Sequence, residues 1–286
     1  METHQYRRTQ TVLVCFFLIA VFLGNLIAWK EIWQGSSMRV SVLDIGQGDA
    51  ILLQTPYGHS ILMDGGPTEA IREKISERLL PWEKHIDLVI LTHPDRDHIA
   101  GLSALLRYYD ARNIVWTGVE RATKDFETWK KTLKEEQGNG SKLYIAKASQ
   151  RIHWGKDNQF LDVLHPEEDV QGKVVDRSND TGIVSRLSFH GVSALFTADV
   201  SRAIEEKLVQ EGTVISSDIL KVAHHGSKYS SSPVFIQAVL PQVAAISVGK
   251  DNPYGHPTPE TLATLEQYGI EVHRTDTKGD IIFTLY

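Results

Sequence analysis

The pattern of hydrophobic and polar positions predicts a mixed α/β domain. In the first half of the chain, short apolar runs bounded by turn residues predict four strands: Val40–Leu43, Ile51–Gln54, Ser60–Met63 and Leu88–Leu91. Apolar spacing typical of amphipathic helices follows at 69–80 and 99–109. The run at 88–91 is continuously apolar, as expected of a strand that is buried on both faces.

The second half of the chain repeats this alternation. It predicts helices at 201–211 and 259–268, and these strands: 185–189, 193–196, 219–223, 243–248, 270–274 and 280–285. Two similar halves of mixed strands and helices predict a four-layer αββα sandwich of the α/β (α+β) class. Clusters of polar residues follow several of the predicted strands, where loops on a rigid sheet place functional groups.

The N-terminal segment predicts a transmembrane helix. Residues 11–29 carry no charge, and at about 1.5 Å per residue they span the hydrocarbon thickness of a bilayer. Arg7 and Arg8 precede the segment, so the positive-inside rule places the rest of the chain outside the cytoplasm. We therefore predict a single-pass anchor with its linker in residues 1–38 of a membrane protein, and one extracytoplasmic domain in residues 39–286. A cleaved signal peptide, and hence a secreted protein, is the alternative.

Composition restricts the chemistry that the domain can use. The only cysteine is Cys15, so a zinc site built on several cysteines is excluded and a metal must be held by His, Asp and Glu. The net charge of −6 indicates no general affinity for polyanions. A nucleic-acid substrate would depend on local basic patches and on bound metal, and no protein partner can be inferred.

The densest group of ligand-type side chains follows the strand at 88–91. His93, Asp95, Asp97 and His98 lie within six residues, and each is a potential ligand for a divalent ion. The alternative is a solvated acidic turn with helix-capping residues.

This group resembles the H-x-H-x-D-H signature of the metallo-β-lactamase superfamily, with Asp95 in the place of the second histidine. The superfamily pattern also has an Asp near a Gly-Gly turn, matched by Asp64, and a late Asp that bridges two metals, matched by Asp199. A final histidine after a strand is matched by the pair His224-His225.

Residues 39–286 resemble, over nearly their whole length, the metallo-β-lactamase domain of ComEC-type competence proteins. Eight segments match in one order: VSVLDIGQGDAILLQTPYG, LMDGG, LTHPDRDHIAGL, NDTGIVSRL, LFTADV, LKVAHHGSKYSSS, SVGKDNPYGHPTPETLATLEQYG and RTDTKGDI. The resemblance implies an extracytoplasmic, nuclease-like module. The channel of those proteins has no counterpart here, so a role in DNA uptake is not implied. The HPxxDH and HHGS features also resemble choline-phosphate esterases of bacterial cell walls.

The resemblance implies two divalent ions, Zn²⁺ or Mn²⁺, and assigns their ligands. The first would be held by His93, Asp95 and Asp199, and the second by Asp97, His98, Asp199 and His225. The residues with a catalytic role would be Asp97, Asp64 and His224. Asp97 would hold the second metal, Asp64 would orient a ligand histidine, and His224 would contact a phosphoryl oxygen or protonate the leaving group. His225 is preferred over His224 as the ligand.

One superfamily ligand is missing, and its absence affects the choice of metal. The third histidine of the first site has no counterpart, and Asn179-Asp180 stands in roughly its place. The first site is therefore rich in oxygen ligands, which makes Mn²⁺ plausible beside Zn²⁺.

Polar residues in the last loops are candidates for substrate binding. These candidates are Asn179, Ser227, Lys228, Asn252 and His256. The alternatives are a polar loop with a helix cap for the serine and lysine, and a hydrogen-bonded turn for His256. Asp49, beside a Gly-rich turn, is interpreted as structural.

Three functions follow from these features. The first is a phosphodiesterase, with DNA or RNA as substrate. The second is an esterase for a phosphodiester of the cell envelope, such as a choline-phosphate ester. The third is a non-catalytic binding module on a degenerate fold. The stretch 124–142 mixes both charge signs and provides no basic stripe for the nuclease hypothesis.

Overall fold

The computed structural model describes residues 12–25, 37–155 and 159–286. Residues 12–25 are helical (α1) and exposed. Among the described residues, no helix combines the length and the apolar character needed to span a bilayer. The predicted transmembrane helix at 11–29 is therefore not supported, and its remaining residues, like most of segment 1–38, lie outside the described ranges.

The first of two large sheets has seven strands in the order β16-β1-β2-β3-β5-β7-β8. Their bounds are β1 Met38–Val42, β2 Ile51–Gln54, β3 Ser60–Met63, β5 Leu88–Leu91, β7 Asn113–Trp116, β8 Lys142–Ile145 and β16 Ile281–Leu285. Strands β3, β5, β7 and β8 run parallel, and the rest pair antiparallel. Two short strands, β4 (His85–Ile86) and β6 (Asp110–Ala111), pair separately.

The second sheet also has seven strands, in the order β15-β14-β13-β12-β11-β10-β9. Their bounds are β9 Arg151–His153, β10 Gln159–His165, β11 Val184–Phe189, β12 Val192–Phe196, β13 Ile219–Lys221, β14 Val243–Ile246 and β15 Glu271–Arg274. Strands β12 to β15 are parallel, so their carboxyl ends share one edge.

The helices cover the outer faces of the two sheets. They are α2 Ala70–Ser76, α3 Arg96–Leu105, α4 Lys124–Gly138, α5 Arg202–Gln210, α6 Pro233–Val239, α7 Pro259–Gln267 and the short α8 Thr275–Lys278. One buried apolar cluster lies between the sheets, a second joins the first sheet to α2–α4, and a third joins the second sheet to α5–α7. Burying each element's apolar face in this way gives the order helix, sheet, sheet, helix, and the predicted mixed α/β fold with two sheets is confirmed.

The bounds of the central strands agree with the predictions, whereas some helix ends differ. Strands β2, β3 and β5 match the predicted bounds. Helix α2 ends at Ser76, earlier than the predicted residue 80, and α3 begins at Arg96 and not at 99. Because α3 starts at Arg96, Asp97 and His98 lie in its first turn.

Candidate metal centre

Four acidic and histidine side chains meet where strands of both sheets end. Asp97 and His98 begin α3, Asp199 follows β12, and His225 follows β13. One ligand atom from each lies within 4.8 Å of the others. Asp199 Oδ2 lies 3.3 Å from His98 Nε2 and 3.2 Å from His225 Nε2, and Asp97 Oδ2 lies 3.4 Å from His225 Nε2.

The donor atoms of this cluster fit a divalent metal. The Nε2 atoms of His98 and His225 and Oδ1 of Asp199 are buried without a well-aligned hydrogen bond. Leaving a buried polar atom unpaired costs about 1–3 kcal/mol, so several such atoms on the residues of one cluster indicate a missing partner. Two imidazole nitrogens and two carboxylates are ligands that both Zn²⁺ and Mn²⁺ accept.

Hydrogen bonds behind the two histidines fix which ring nitrogen faces the cluster. His98 Nδ1 lies 2.8 Å from Asp64 Oδ2, and His225 Nδ1 lies 2.9 Å from the carbonyl oxygen of Ser247. A carboxylate and a carbonyl only accept hydrogen bonds, so each Nδ1 carries the proton and each Nε2 is free to bind metal. Asp64 is itself held by Thr92, whose amide and hydroxyl donate to it at 2.8 and 2.6 Å.

A tight backbone crossing places Asp64 beneath His98. The Gly65 amide donates to the His98 carbonyl at 2.9 Å, and the Gly101 amide donates to the Gly66 carbonyl at 2.8 Å. A Cβ atom on Gly101 would lie 1.8 Å from the Gly65 carbonyl oxygen, so only glycine permits this approach.

His93 and Asp95 lie beside the cluster and not within its closest group of ligand atoms. The His93 ring centre is 4.0 Å from that of His98, and His93 Nε2 lies 4.0 Å from Asp95 Oδ2. His93 Nε2 is also buried without a hydrogen bond. Asp95 Oδ1 accepts a hydrogen bond from Ser178 Oγ at 2.5 Å. These two residues provide a second, sparser set of donors next to Asp199.

A buried ion pair supports the cluster from below. Lys221 Nζ donates to Asp49 Oδ2 at 2.8 Å and to the Val222 carbonyl at 3.0 Å, while Asp49 Oδ1 lies 3.4 Å from His225 Nδ1. The sequence predicts a structural role for Asp49 and does not mark Lys221. The Gly-rich turn before Asp49 follows a strand and was the one signal in the sequence that pointed to this position.

Electrostatic attraction between the carboxylates and the histidines sets the pKa values of the cluster. Burial alone would lower the pKa of His98, but Asp199 and Asp64 outweigh it and raise the pKa well above its ordinary value. The pKa of His225 is raised in the same way, against burial, by Asp199. Burial would raise the pKa of Asp97, yet His98 and His225 lower it to about 2. Without metal the histidines therefore hold protons, which a bound divalent ion would replace.

Several residues of the centre adopt backbone conformations that non-glycine residues rarely use. The φ angles are 59° at Asp64, 45° at Ala198, 49° at His224 and 54° at His225. Each costs on the order of 1 kcal/mol, and such residues cluster at functional sites. The turn at the histidine pair directs His225 into the cluster and leaves His224 half-buried, with its ring centre 5.7 Å from that of His256.

A cleft of about 610 Å³ lies beside the cluster, and several of its lining residues are not predicted from the sequence. Asp95, Asp199, His224 and Asn179 line it, and a substrate contact of Asn179 stays a prediction. The lining also includes four residues that the sequence does not predict as site residues: Arg121, Arg177, Arg202 and Tyr229. They lie far apart in the chain, and no local motif marks them.

The other predicted substrate residues have mainly local contacts. Ser227 is buried, and its Oγ accepts a hydrogen bond from the Tyr229 amide at 3.3 Å. Lys228 extends over the Tyr229 ring, 5.4 Å from its centre. Asn252 donates to the Gly249 and His256 carbonyls at 3.0 and 2.7 Å, which closes the last loop. Burial and the neighbouring His224 lower the pKa of His256 to about 4.

Comparison with known proteins identifies the class to which this fold and cluster belong. A family model described as the metallo-beta-lactamase superfamily matches residues 43–250, so the chain belongs to that superfamily of metal-dependent hydrolases.

The curated relatives include competence proteins of the ComEC type. The chain is 34% identical over 265 residues to ComE operon protein 3 of Bacillus subtilis (strain 168), covering 86% of the chain and 33% of that protein. It is 30% identical over 268 residues to competence protein ComA of Neisseria gonorrhoeae, covering 93% of the chain and 35% of that protein. The chain thus spans about a third of the length of the curated relatives that it matches.

Solved structures share the fold at low sequence identity. Igni18, described as a metallo hydrolase from Ignicoccus hospitalis, superposes with a TM-score of 0.54 at 15% identity, covering 86% of this chain and 98% of that one. The CmlA beta-hydroxylase E377D mutant superposes with a TM-score of 0.55 at 12% identity, covering 87% of this chain and 54% of that one.

Proposed function

We propose that the chain is a metal-dependent phosphodiesterase that cleaves nucleic acid. The observation that carries the proposal is the buried ligand cluster of Asp97, His98, Asp199 and His225 beside an arginine-lined cleft. The competence relatives support a nucleic-acid substrate. An esterase for a choline-phosphate ester of the cell envelope is the alternative, because carboxylates such as those of Asp176 and Glu206 also line the cleft and would attract the cation of choline.

The side chains divide the work between holding the metal and handling the substrate. A bound divalent ion lowers the pKa of water and neutralises negative charge on a reacting phosphate. Asp97, His98, Asp199 and His225 would hold it, and Asp64 keeps His98 in the tautomer that can bind. His224 lines the cleft, where it can contact a phosphoryl oxygen or donate a proton to the leaving oxygen.

The test is a substrate panel with the 286-residue chain, stripped of metal and reloaded with Mn²⁺ or Zn²⁺. The panel contains a DNA oligonucleotide, an RNA oligonucleotide and p-nitrophenyl phosphorylcholine, with Asp199→Asn as the matched control. We expect metal-dependent cleavage of an oligonucleotide that the control loses. Turnover of the choline ester alone would replace the proposal with envelope metabolism, and no turnover with a metal-loaded protein would favour a binding module.

The extracytoplasmic location of residues 39–286 stays a prediction. Digestion of the domain by protease added to intact cells would support it, and protection from that protease until the cells are lysed would contradict it.

A further inference from the structure

Three arginines that are distant in sequence line the cleft beside the metal cluster. Arg121 follows β7, Arg177 precedes β11, and Arg202 begins α5. They share the cleft with Asp199 and His224, so the arginines and the proposed reaction centre face one continuous space. The fold alone brings these positive charges together.

The guanidinium groups of these arginines are weakly engaged by the protein. Within the described residues, their shortest carboxylate contact is 3.5 Å, from Arg121 to Asp95, and Arg177 lies 3.6 Å from Asp180. Arg202 donates to the Lys228 carbonyl at 3.3 Å. By contrast, Arg112 at the other end of the domain contacts Asp87 at 2.7 Å. Donors therefore remain available in the cleft for another anion.

The arginines of the lining have the chemistry to bind phosphates. A guanidinium presents paired N–H donors that match two phosphate oxygens. Five carboxylates also line the cleft, so attraction for an anion is confined to the positions of the arginines. The carboxylates belong to Asp95, Asp176, Asp180, Asp199 and Glu206. The exposed ring of Tyr229 provides a flat face of the kind on which an unpaired base stacks.

We propose that Arg121, Arg177 and Arg202 bind the phosphates that flank the scissile one. The site then takes an oligonucleotide in preference to an isolated phosphodiester. This inference rests on the proposed function and adds to it the residues that position the strand. These are positioning residues, because they contact phosphates that do not react.

The experiment compares Arg177→Gln, Arg202→Gln and the double variant with Arg107→Gln in the 286-residue chain. Arg107 is the matched control, since it is exposed, pairs with Glu69 and is not among the residues that line the cleft. Each chain is assayed with an oligonucleotide of about 12 nucleotides and with bis-p-nitrophenyl phosphate, which has one phosphate. For each cleft variant we expect kcat/KM to fall about tenfold on the oligonucleotide, and to change less than about twofold on the small ester.

Binding is measured separately, so that the inference is decided even without turnover. Fluorescence anisotropy on the Asp199→Asn background reports the affinity for the same labelled oligonucleotide at several salt concentrations. Each lost arginine should weaken binding and reduce the salt slope by about 0.7, while Arg107→Gln leaves both unchanged. Equal losses on both substrates, or unchanged binding in the double variant, would overturn the inference. Absence of cleavage by the unmodified chain would instead refute the proposed function.

Discussion

Replacing Asp64 with Asn tests whether the group behind His98 controls metal binding. Asp64 accepts three hydrogen bonds, from the Thr92 amide, the Thr92 hydroxyl and His98 Nδ1, at 2.8, 2.6 and 2.8 Å. An amide can accept at only one end of its side chain. If the amide oxygen of the variant side chain still accepts from the Thr92 amide, the NH₂ group of that side chain faces His98 Nδ1. The NH₂ group then favours the His98 tautomer that carries its proton on Nε2, and this proton blocks metal binding.

The size of the effect follows from these contacts. Loss of a group that orients a metal-binding histidine costs about 10–100-fold in metal affinity, equivalent to about 1.4–2.8 kcal/mol. The backbone should tolerate the change, because Asp64 has φ 59° and Asn adopts this left-handed conformation as readily as Asp. The metal-free variant should therefore fold, and the loss should appear mainly in metal binding.

Competition with a chromophoric chelator gives the dissociation constant for Zn²⁺ directly, and thermal unfolding of the metal-free chains gives their stability. Asp87→Asn is the matched control, since Asp87 accepts the Ser60 amide at 2.9 Å and lies beside a different cavity. A dissociation constant for Asp64→Asn within twofold of the unmodified chain would refute the reasoning.

Three further predictions concern the support of the cluster. Lys221→Met leaves the buried carboxylate of Asp49 without its cation and should therefore lower the free energy of unfolding by about 3–5 kcal/mol. Urea denaturation measures this loss, and a value below about 1 kcal/mol would contradict the prediction. The pKa values of His98 and His225 are raised, so the stability that they contribute is complete below pH ~6.5 and is lost as pH rises through the raised values. The Tm of the metal-free chain should accordingly fall from pH ~6.5 upwards, and a flat profile by scanning fluorimetry would be inconsistent with it. Gly48→Ala adds a Cβ atom 2.2 Å from the Asp97 carbonyl oxygen, at a residue with φ +136°. The substitution should displace the start of α3 and weaken Zn²⁺ binding at least about tenfold. An unchanged dissociation constant in the chelator competition would show that Gly48 does not control the position of the ligands.

The sequence predicted the fold best where strands are buried. Strands β2, β3 and β5 are almost wholly buried, and their apolar runs marked both ends. The edge strand β8 has only exposed and half-buried residues, so its apolar pattern is weak. Helix α4 is strongly charged, which weakens its apolar pattern, and the sequence predicts no strand or helix between 110 and 180.

The ligand cluster was predictable because its members follow strands in short, recognisable motifs. The supporting pair was not, since Asp49 and Lys221 are 172 residues apart and each looks unremarkable alone. The arginines of the cleft are likewise far apart in the sequence, and no local motif marks them. For Ser227 and Asn252 a substrate contact stays a prediction, because a polar loop residue that hydrogen-bonds to nearby backbone has the same sequence signature as one that binds a substrate.

The most direct test of the account is the position of a bound metal. Anomalous diffraction from crystals of the chain grown with Zn²⁺ would locate it without reference to activity. We predict a peak bonded to Asp97, His98, Asp199 and His225, at about 2.0–2.2 Å from their nitrogen and oxygen atoms. A peak elsewhere, or none at saturating Zn²⁺, would contradict the claim that this cluster is the metal centre.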